Sequence, residues 1–401
     1  MIHVTDKHQC CGCGACVQRC PKQCISMKED HEGFLYPVAD ESVCIDCELC
    51  DKSCPIQNKA EAIEPQRVLA AKNKNEADRL QSSSGGVFIA LAQDVIERGG
   101  VVFGAVWDDK WEVKITYAET MEGVYPMMGS KYLQARTERA YAEAERFLKA
   151  GREVLFTGAP CQIAGLHCFL RKEYENLLTV DFLCHGAPSP GVWRRYLKEL
   201  MRGNTVSQSP NYMSPIEDIK FRDKRLGWGK YSFTVLKKPA PLSCPFNEDA
   251  FMRGFLANIY LRPSCYGCAS KNGVSHSDLT IGDFWGINRI MPDFDDDKGV
   301  SVVMINTIGG DRMFDRLKFE TRNSSLSVAK QYNGGFNDKL SPHPKRMLFF
   351  RQYEKGNRTI ERMVCSILNA PLHRRVIDKV KHILRLILPQ GMIKLMKKLK
   401  P

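Results

Sequence analysis

The sequence predicts an α+β protein in three parts: a small cysteine-dense module over residues 1–58, a larger α/β domain over residues 68–344 and a basic helical tail over residues 345–401. Three observations predict this. Residues 10–21, CCGCGACVQRCP, and residues 44–55, CIDCELCDKSCP, repeat one cysteine pattern. Residues 153–184 read as strand, helix and a second strand of the buried parallel type. Charge also collects at one end: the 15 Lys and Arg against 3 Asp and Glu from Lys345 onward give +12, the net charge of the whole 401-residue chain. Residues 1–344 are therefore close to neutral.

The composition, 43% hydrophobic, supports a folded core for two or three domains. Seventeen cysteines follow an N-terminus without an apolar leader-like stretch. Reduced thiols in a cytoplasmic protein are the expectation, and clustered reduced thiols read as metal ligands sooner than as disulfides. No apolar run reaches the roughly 18 residues that a spanning helix needs, so a soluble or peripheral protein is expected.

Each N-terminal repeat contains C-x2-C-x2-C-x3-C-P, and its cysteines recur at an offset of 34 residues. Three thiolates two residues apart can wrap one 4Fe-4S cubane, while the fourth, ahead of a helix-breaking proline, reaches the other cluster. The expected sets are Cys10, Cys13, Cys16 and Cys54 for the first cluster and Cys44, Cys47, Cys50 and Cys20 for the second. The competing reading is a pair of zinc sites, which also use C-x2-C pairs but rarely a run of three with a trailing C-P. The whole segment resembles the bacterial two-cluster ferredoxin module. Cys11 and Cys24 fall outside the pattern and are expected to be bystanders, although Cys11 leaves open which of the adjacent pair ligates first. Gly33 to Pro37 suggest a hairpin insertion covering the clusters, and the polar stretch after Pro55 reads as a linker.

The second domain opens with a strand near Val68 and then QSSSGGVFIALAQDVIERGG. Ser82 to Ser84 offer N-cap oxygens, Gly85 and Gly86 permit close backbone approach, and an amphipathic helix runs on to Gly99-Gly100. Such a helix start suits a cofactor diphosphate, and a plain N-cap explains it as well. Val101 to Trp107 is a further strand. Beyond it, Lys131 and Tyr132 follow a Gly-Ser turn, where the lysine either contacts a phosphate or flavin ring or is simply solvated.

In a βαβ unit both strands deliver their carboxyl ends to one sheet edge, where ligands collect. Cys161, in the turn GAPCQ, leaves the first strand and Cys184 the second, while Cys265 and Cys268 in RPSCYGCA supply a pair. These four are the candidate ligands of a third 4Fe-4S cluster; the alternative keeps Cys161 and Cys184 as small buried hydrophobes. Cys168, Cys244 and Cys365 look structural, with Cys244 the first substitute. His185 would hydrogen-bond the cluster, donate a proton to a substrate as a catalytic residue, or only cap a loop. The acidic run DFDDDKG at 293–299 reads as a solvated loop before a cation site, and Arg222 and Arg225 either grip an anion or form surface ion pairs.

SSSGG, GSKYLQA, GAPCQIAGL, DFLCHGAPSP, FRDKRLGW, RPSCYGCA and SDLTIGDFWGI, in this order behind the two-cluster module, resemble the family of coenzyme F420 hydrogenase and dehydrogenase beta subunits over about residues 1–310. The resemblance implies a larger domain of the flavin-binding hydrogenase/dehydrogenase beta-subunit type. It implies an iron–sulfur flavoprotein with FAD bound at Ser83, Ser84, Gly85, Gly86, Lys131 and Tyr132, and Asp283 of GDFWG at the redox centre as a catalytic candidate. FRDKRLGW is typical of the branch associated with bacterial polysaccharide synthesis rather than of the deazaflavin hydrogenases, which argues against coenzyme F420 itself as the partner.

The expected function is that of an oxidoreductase relaying electrons from a ferredoxin-type donor through the clusters to FAD and a small-molecule substrate. The rival is a non-catalytic electron-transfer subunit of a larger redox complex, and a cluster-stabilised scaffold is the third reading. In the tail, Val376, Ile377, Val380, Ile383, Leu384 and Ile387 recur at helical spacing among basic residues. That pattern suits peripheral contact with the inner face of an anionic membrane, or docking on protein. Nucleic acid is not an expected partner, since the basic residues lack interleaved aromatics and any binding motif.

Overall fold

Continuous apolar runs divide the chain into three sheets in the computed structural model, which describes residues 1–202 and 215–369. The amphipathic pattern at 371–400 lies outside the described residues. The strands are β1 Ile25–Glu29, β2 Leu35–Ala39, β3 Arg67–Lys72, β4 Val101–Trp107, β5 Val113–Ala118, β6 Val154–Gly158 and β7 Leu177–Phe182. They continue with β8 Ile216–Asp223, β9 Ser232–Lys237, β10 Leu242–Pro245, β11 Leu279–Asp283, β12 Ser301–Ile305 and β13 Glu320–Asn323.

The largest sheet has eight strands in the order β13-β3-β12-β11-β7-β6-β4-β5. Its centre is parallel: β4 pairs with β6, β6 with β7 and β7 with β11 in one direction, and antiparallel strands flank them. The sequence-predicted βαβ unit is β6, the Pro160–Leu170 helix and β7. Strand residues are apolar in succession because both faces are covered. Val102, Leu155 and Val180 pack with the Val87–Glu97 helix, while Val101, Val154 and Phe156 pack with the Pro160–Leu170 helix.

Strands β1 and β2 form the predicted hairpin, with Ile25 opposite Ala39. Its tip does more than cover the N-terminal module. Phe34 is fully buried and, with Tyr36, joins an aromatic core of Trp193, Phe221, Phe233, Phe251 and Tyr260 that backs onto the three-stranded sheet β10-β9-β8. Burying one such ring stabilises the junction by about 1.5–3 kcal/mol. Gly33, at φ +83°, is required at the turn because a Cβ there would meet the backbone of Gly191 at 2.6 Å.

The expected start of the tail at 345 is corrected. Helices Arg346–Lys355 and Ile360–Leu368 place Phe349, Phe350, Ile360, Met363, Val364 and Ile367 in that same aromatic core, so residues up to 369 belong to the globular body. No helix among the described residues is long and apolar enough to cross a membrane.

Candidate metal centres

The two N-terminal repeats share a backbone conformation as well as a spacing. Gly12 and Gly14 take φ of +70° and +74°, and 34 residues later Asp46 and Glu48 take +48° and +59°. Left-handed backbone is easy for glycine and strained for Asp and Glu, and such strain persists where a site over-determines it. These turns wrap each C-x2-C-x2-C run around a point. Cys20, Cys44, Cys47 and Cys50 line one pocket beneath Met1 and Ile45. Cys16 lies in the field of Cys10 and Cys54, and Cys13 in that of Cys16. Both crosswise sets expected from the sequence are thus assembled. Backbone amides already point at sulfurs: Asp46 N–H to Cys44 Sγ at 3.4 Å and Ile2 N–H to Cys50 Sγ at 3.3 Å.

The third set also converges. Cys161 is the second residue of the helix after β6, Cys184 follows β7 by two residues, Cys265 lies in the turn Pro263–Tyr266, and the Cys268 amide is tied to Asp338 O at 2.9 Å. Parallel pairing of β6 and β7 brings the first two to one edge. Cys161 then lies in the field of Cys184 and Cys268, and Cys184 in that of Cys265 and Cys268. The Ala187 amide donates to Cys265 Sγ at 3.3 Å. Burial pushes the Cys184 thiol up to about 12 and the Cys265 thiol up to about 11. Free thiols at these positions hold their protons at neutral pH, and only a bound metal would draw them off. The sequence reading missed Lys271, a buried cation beside this set whose Nζ donates to Asn337 O at 2.7 Å.

Two expected bystanders are corrected. Gly12 turns the loop so that the Cys11 thiol hydrogen-bonds those of Cys13 and Cys161, between the first and third sets. Cys24, at the start of the hairpin, sits 3.3 Å from Cys20 Sγ and lines the pocket of the second set. Cys168 faces Cys54 and Cys11. Cys244 lies on β10 and Cys365 in the Ile360–Leu368 helix, and among the described residues no contact links either to a cysteine set.

The flavin candidates meet, with a change of role. Ser83 Oγ accepts from Ser130 N–H at 2.6 Å, which brings SSSGG against the Lys131-Tyr132 turn. None of the serines caps the following helix: Ser82 Oγ donates to Asp78 O, Ser84 Oγ donates to Val300 O, and Gly86 at φ +80° stands at the N-cap with no side-chain bond. Gly85 is required by close approach, since a Cβ would meet Ala71 O at 2.4 Å. Lys131, whose Nζ donates to Met128 O at 3.0 Å, is lowered by burial to about 8. Lys224 is likewise lowered by burial to about 8 and ties the same loop through Ser84 O and Lys298 O.

Asp283 and His185 are less free than a catalytic role requires. Asp283 is held by Arg222, and Arg222 therefore has no charge left to grip a phosphate; Arg225 is likewise paired with Asp223. The Asp283 backbone carbonyl accepts from Asn333. His185 Nε2 pairs with Asn258 Oδ1 at 2.8 Å, its ring stands edge-on to Phe255, and burial lowers its pKa. In the acidic run, Asp296 pairs with Arg79 and Asp297 caps the Gly229 amide.

An open groove lies at the opposite sheet edge, where Leu177 and Asp278 begin the parallel strands, and is lined also by His167, Arg171 and His276. It is not beside the flavin candidates. Among the described residues, no group of three or more His, Cys, Asp or Glu is close enough to hold a single metal ion. A tetrahedral zinc needs such a group, whereas a cubane spaces its four thiolates more widely, so the donor sets fit clusters better than ions.

Comparison with known proteins agrees with this donor chemistry. Residues 9–58 match the 4Fe-4S dicluster domain, and residues 151–325 match the family described as the C terminus of the coenzyme F420 hydrogenase/dehydrogenase beta subunit. The F-type subunit of the F(420)H(2) dehydrogenase of Methanosarcina mazei is 24% identical over 80% of this chain and 85% of its own length. A ferredoxin of Methanocaldococcus jannaschii is 31% identical over 18% of this chain and 92% of its own. One polypeptide of the F420-reducing NiFe hydrogenase complex from Methanosarcina barkeri aligns with 67% of this chain and 89% of its own at a TM-score of 0.45 and 18% identity.

Proposed function

We propose that this chain, which belongs through residues 151–325 to the family of coenzyme F420 hydrogenase/dehydrogenase beta subunits and through residues 9–58 to the 4Fe-4S dicluster domains, is an iron–sulfur flavoprotein oxidoreductase with three clusters and one FAD. The observation that carries the reading is the meeting of Cys161, Cys184, Cys265 and Cys268, from three separate segments, directly beside the first N-terminal set. An isolated buried cysteine is an ordinary small hydrophobe; four of them in one another's field at a sheet edge are not. Bound there, clusters would supply one-electron transfer and a flavin would pair those electrons for a two-electron substrate.

The chain's own residues divide the work. The left-handed turns at Gly12, Gly14, Asp46 and Glu48 hold the first two sets of thiolates. Gly85 and Gly86 leave the start of the Val87–Glu97 helix open to the FAD diphosphate, and Lys131 and Tyr132 border it. Asp283 positions Arg222 against Tyr132 and is a positioning residue rather than a proton donor. His185 orients the loop after Cys184. The Methanosarcina mazei relative is one subunit of a dehydrogenase. By analogy a protein redox partner such as a ferredoxin feeds the N-terminal clusters, and a small molecule, in a polysaccharide-building route, receives the electrons.

The second reading, an electron-transfer subunit without its own substrate, is favoured by one observation: the groove lies at the sheet edge away from the flavin candidates. Iron, acid-labile sulfide and flavin measured on one anaerobic sample separate the two. About twelve irons with one FAD per chain support the flavoenzyme, and about eight irons without flavin leave a two-cluster carrier.

A further inference from the structure

Arg262 is a buried charge with no carboxylate to balance it among the described residues. The side chain is 1% exposed. Its Nε donates to Cys10 O at 2.7 Å, Nη1 to Gln134 Oε1 at 3.0 Å, and Nη2 to Leu35 O at 3.0 Å and to Cys10 Sγ at 3.4 Å. The guanidinium lies 4.3 Å from the Tyr36 ring centroid and fills the space that a Cβ on Gly12 would occupy. Other buried cations of this chain answer to acids: Arg79 to Asp296, Arg222 to Asp283 and Lys72 to Glu320. A charge out of water needs a partner, and the negative group within reach of Arg262 is the Cys10 sulfur.

The placement is directional. The main chain of Arg262 belongs to the third set, with its N–H bonded to Ala187 O at 2.8 Å and its carbonyl receiving Cys265 N–H at 2.9 Å. Its side chain belongs to the first. One residue therefore fixes the distance between two cysteine sets that lie in different domains.

We propose that Arg262 is the built-in counter-ion of the cluster held by Cys10, Cys13, Cys16 and Cys54, raising its reduction potential through the hydrogen bond to Cys10 Sγ and locking it in register with the Cys161, Cys184, Cys265 and Cys268 set. The inference rests on the cluster reading above. Reduction adds one electron and no proton to that cluster, and a fixed cation against a ligand sulfur stabilises the reduced form more than the oxidised one. Arg262 is a positioning residue, since it touches a ligand and no substrate.

The test is a potentiometric titration followed by electron paramagnetic resonance on the full chain, with Arg262→Gln and Arg262→Lys beside wild type, each with its iron and sulfide content measured. Arg262→Gln is expected to keep its iron and to move one low-potential couple negative by about a tenfold change in reduction equilibrium, about 59 mV for one electron. Arg262→Lys, which keeps the charge but not the fork, is expected to move it less. If Arg262→Gln loses iron, the lysine variant carries the decision, and a negative shift there supports the inference. Couples that coincide with wild type in an iron-replete variant overturn it. A wild-type chain without about eight irons contradicts the cluster reading itself, a result distinguishable from the failure of Arg262 alone.

Discussion

Arg222 and Asp283 form a nearly enclosed ion pair, with Nη1 to Oδ2 at 2.6 Å and Nη2 to Oδ1 at 3.2 Å, and Trp228 Nε1 donates to the same carboxylate at 3.0 Å. Trp285 stacks on Trp228 at 5.0 Å, and Tyr231 covers the guanidinium at 4.0 Å. Breaking one side of such a pair leaves a buried charge alone. Asp283→Asn is expected to lower unfolding stability by about 3–5 kcal/mol, read from denaturant unfolding of the anaerobic protein. A variant of unchanged stability that has lost its redox activity would instead restore Asp283 as a reacting group.

Asp181 predicts a pH dependence. It lies on β7, is 3% exposed, accepts from Ser275 Oγ at 2.6 Å and leaves Oδ1 unpartnered among the described residues, and burial raises its pKa from 3.8 to about 6. A carboxyl whose pKa rises on folding binds more protons folded than unfolded between about pH 4 and 6. Its presence therefore costs stability as pH rises through that window, and the cost is constant above it. Asp181→Asn is expected to melt higher than wild type at pH 8, by an amount on the order of 3 kcal/mol, with the gap narrowing at pH 5. A gap independent of pH would contradict the assignment.

Gly85→Ala tests the close approach beneath the flavin candidates. Its new methyl would meet Ala71 O at 2.4 Å and Ser301 N at 2.7 Å, both backbone atoms that cannot rotate away. A loss of about 1–3 kcal/mol is expected, together with a lower yield of flavin released by acid. Normal flavin content at normal stability would show that the start of the Val87–Glu97 helix is not part of the cofactor site.

Glu48→Gly tests the duplication from the other side. Glu48 holds φ +59° where the first repeat has Gly14 at +74°, and its ion pair among the described residues is the exposed one with Lys52. Removing the strain is expected to stabilise the chain by about 1 kcal/mol with iron content unchanged. A loss of iron would mean that the Glu48 side chain itself supports the second set.

Much of the fold and site is legible in the sequence, and the limit is distance along the chain. The eight N-terminal cysteines can be read because their spacing is local and repeated. The βαβ unit locates Cys161 and Cys184 because strand direction alone puts their exits at one edge. Arg262, Lys271 and the turning of Cys11 toward Cys161 leave no local signal, since each depends on how the N-terminal module packs on the larger domain. The serines of SSSGG look like caps in sequence, yet their hydroxyls bond to the strand and turn brought alongside. The 346–368 helices look like tail because basic residues mask their apolar spacing, although Phe349, Phe350, Ile360, Met363, Val364 and Ile367 carry it.

The central claim is the third centre, and iron per chain in Cys184→Ser beside wild type tests it most directly. The account predicts a fall from about twelve irons to about eight, with the signals of the two N-terminal clusters intact. Equal iron in the two proteins would contradict it, leaving Cys161, Cys184, Cys265 and Cys268 as packing residues around a two-cluster chain.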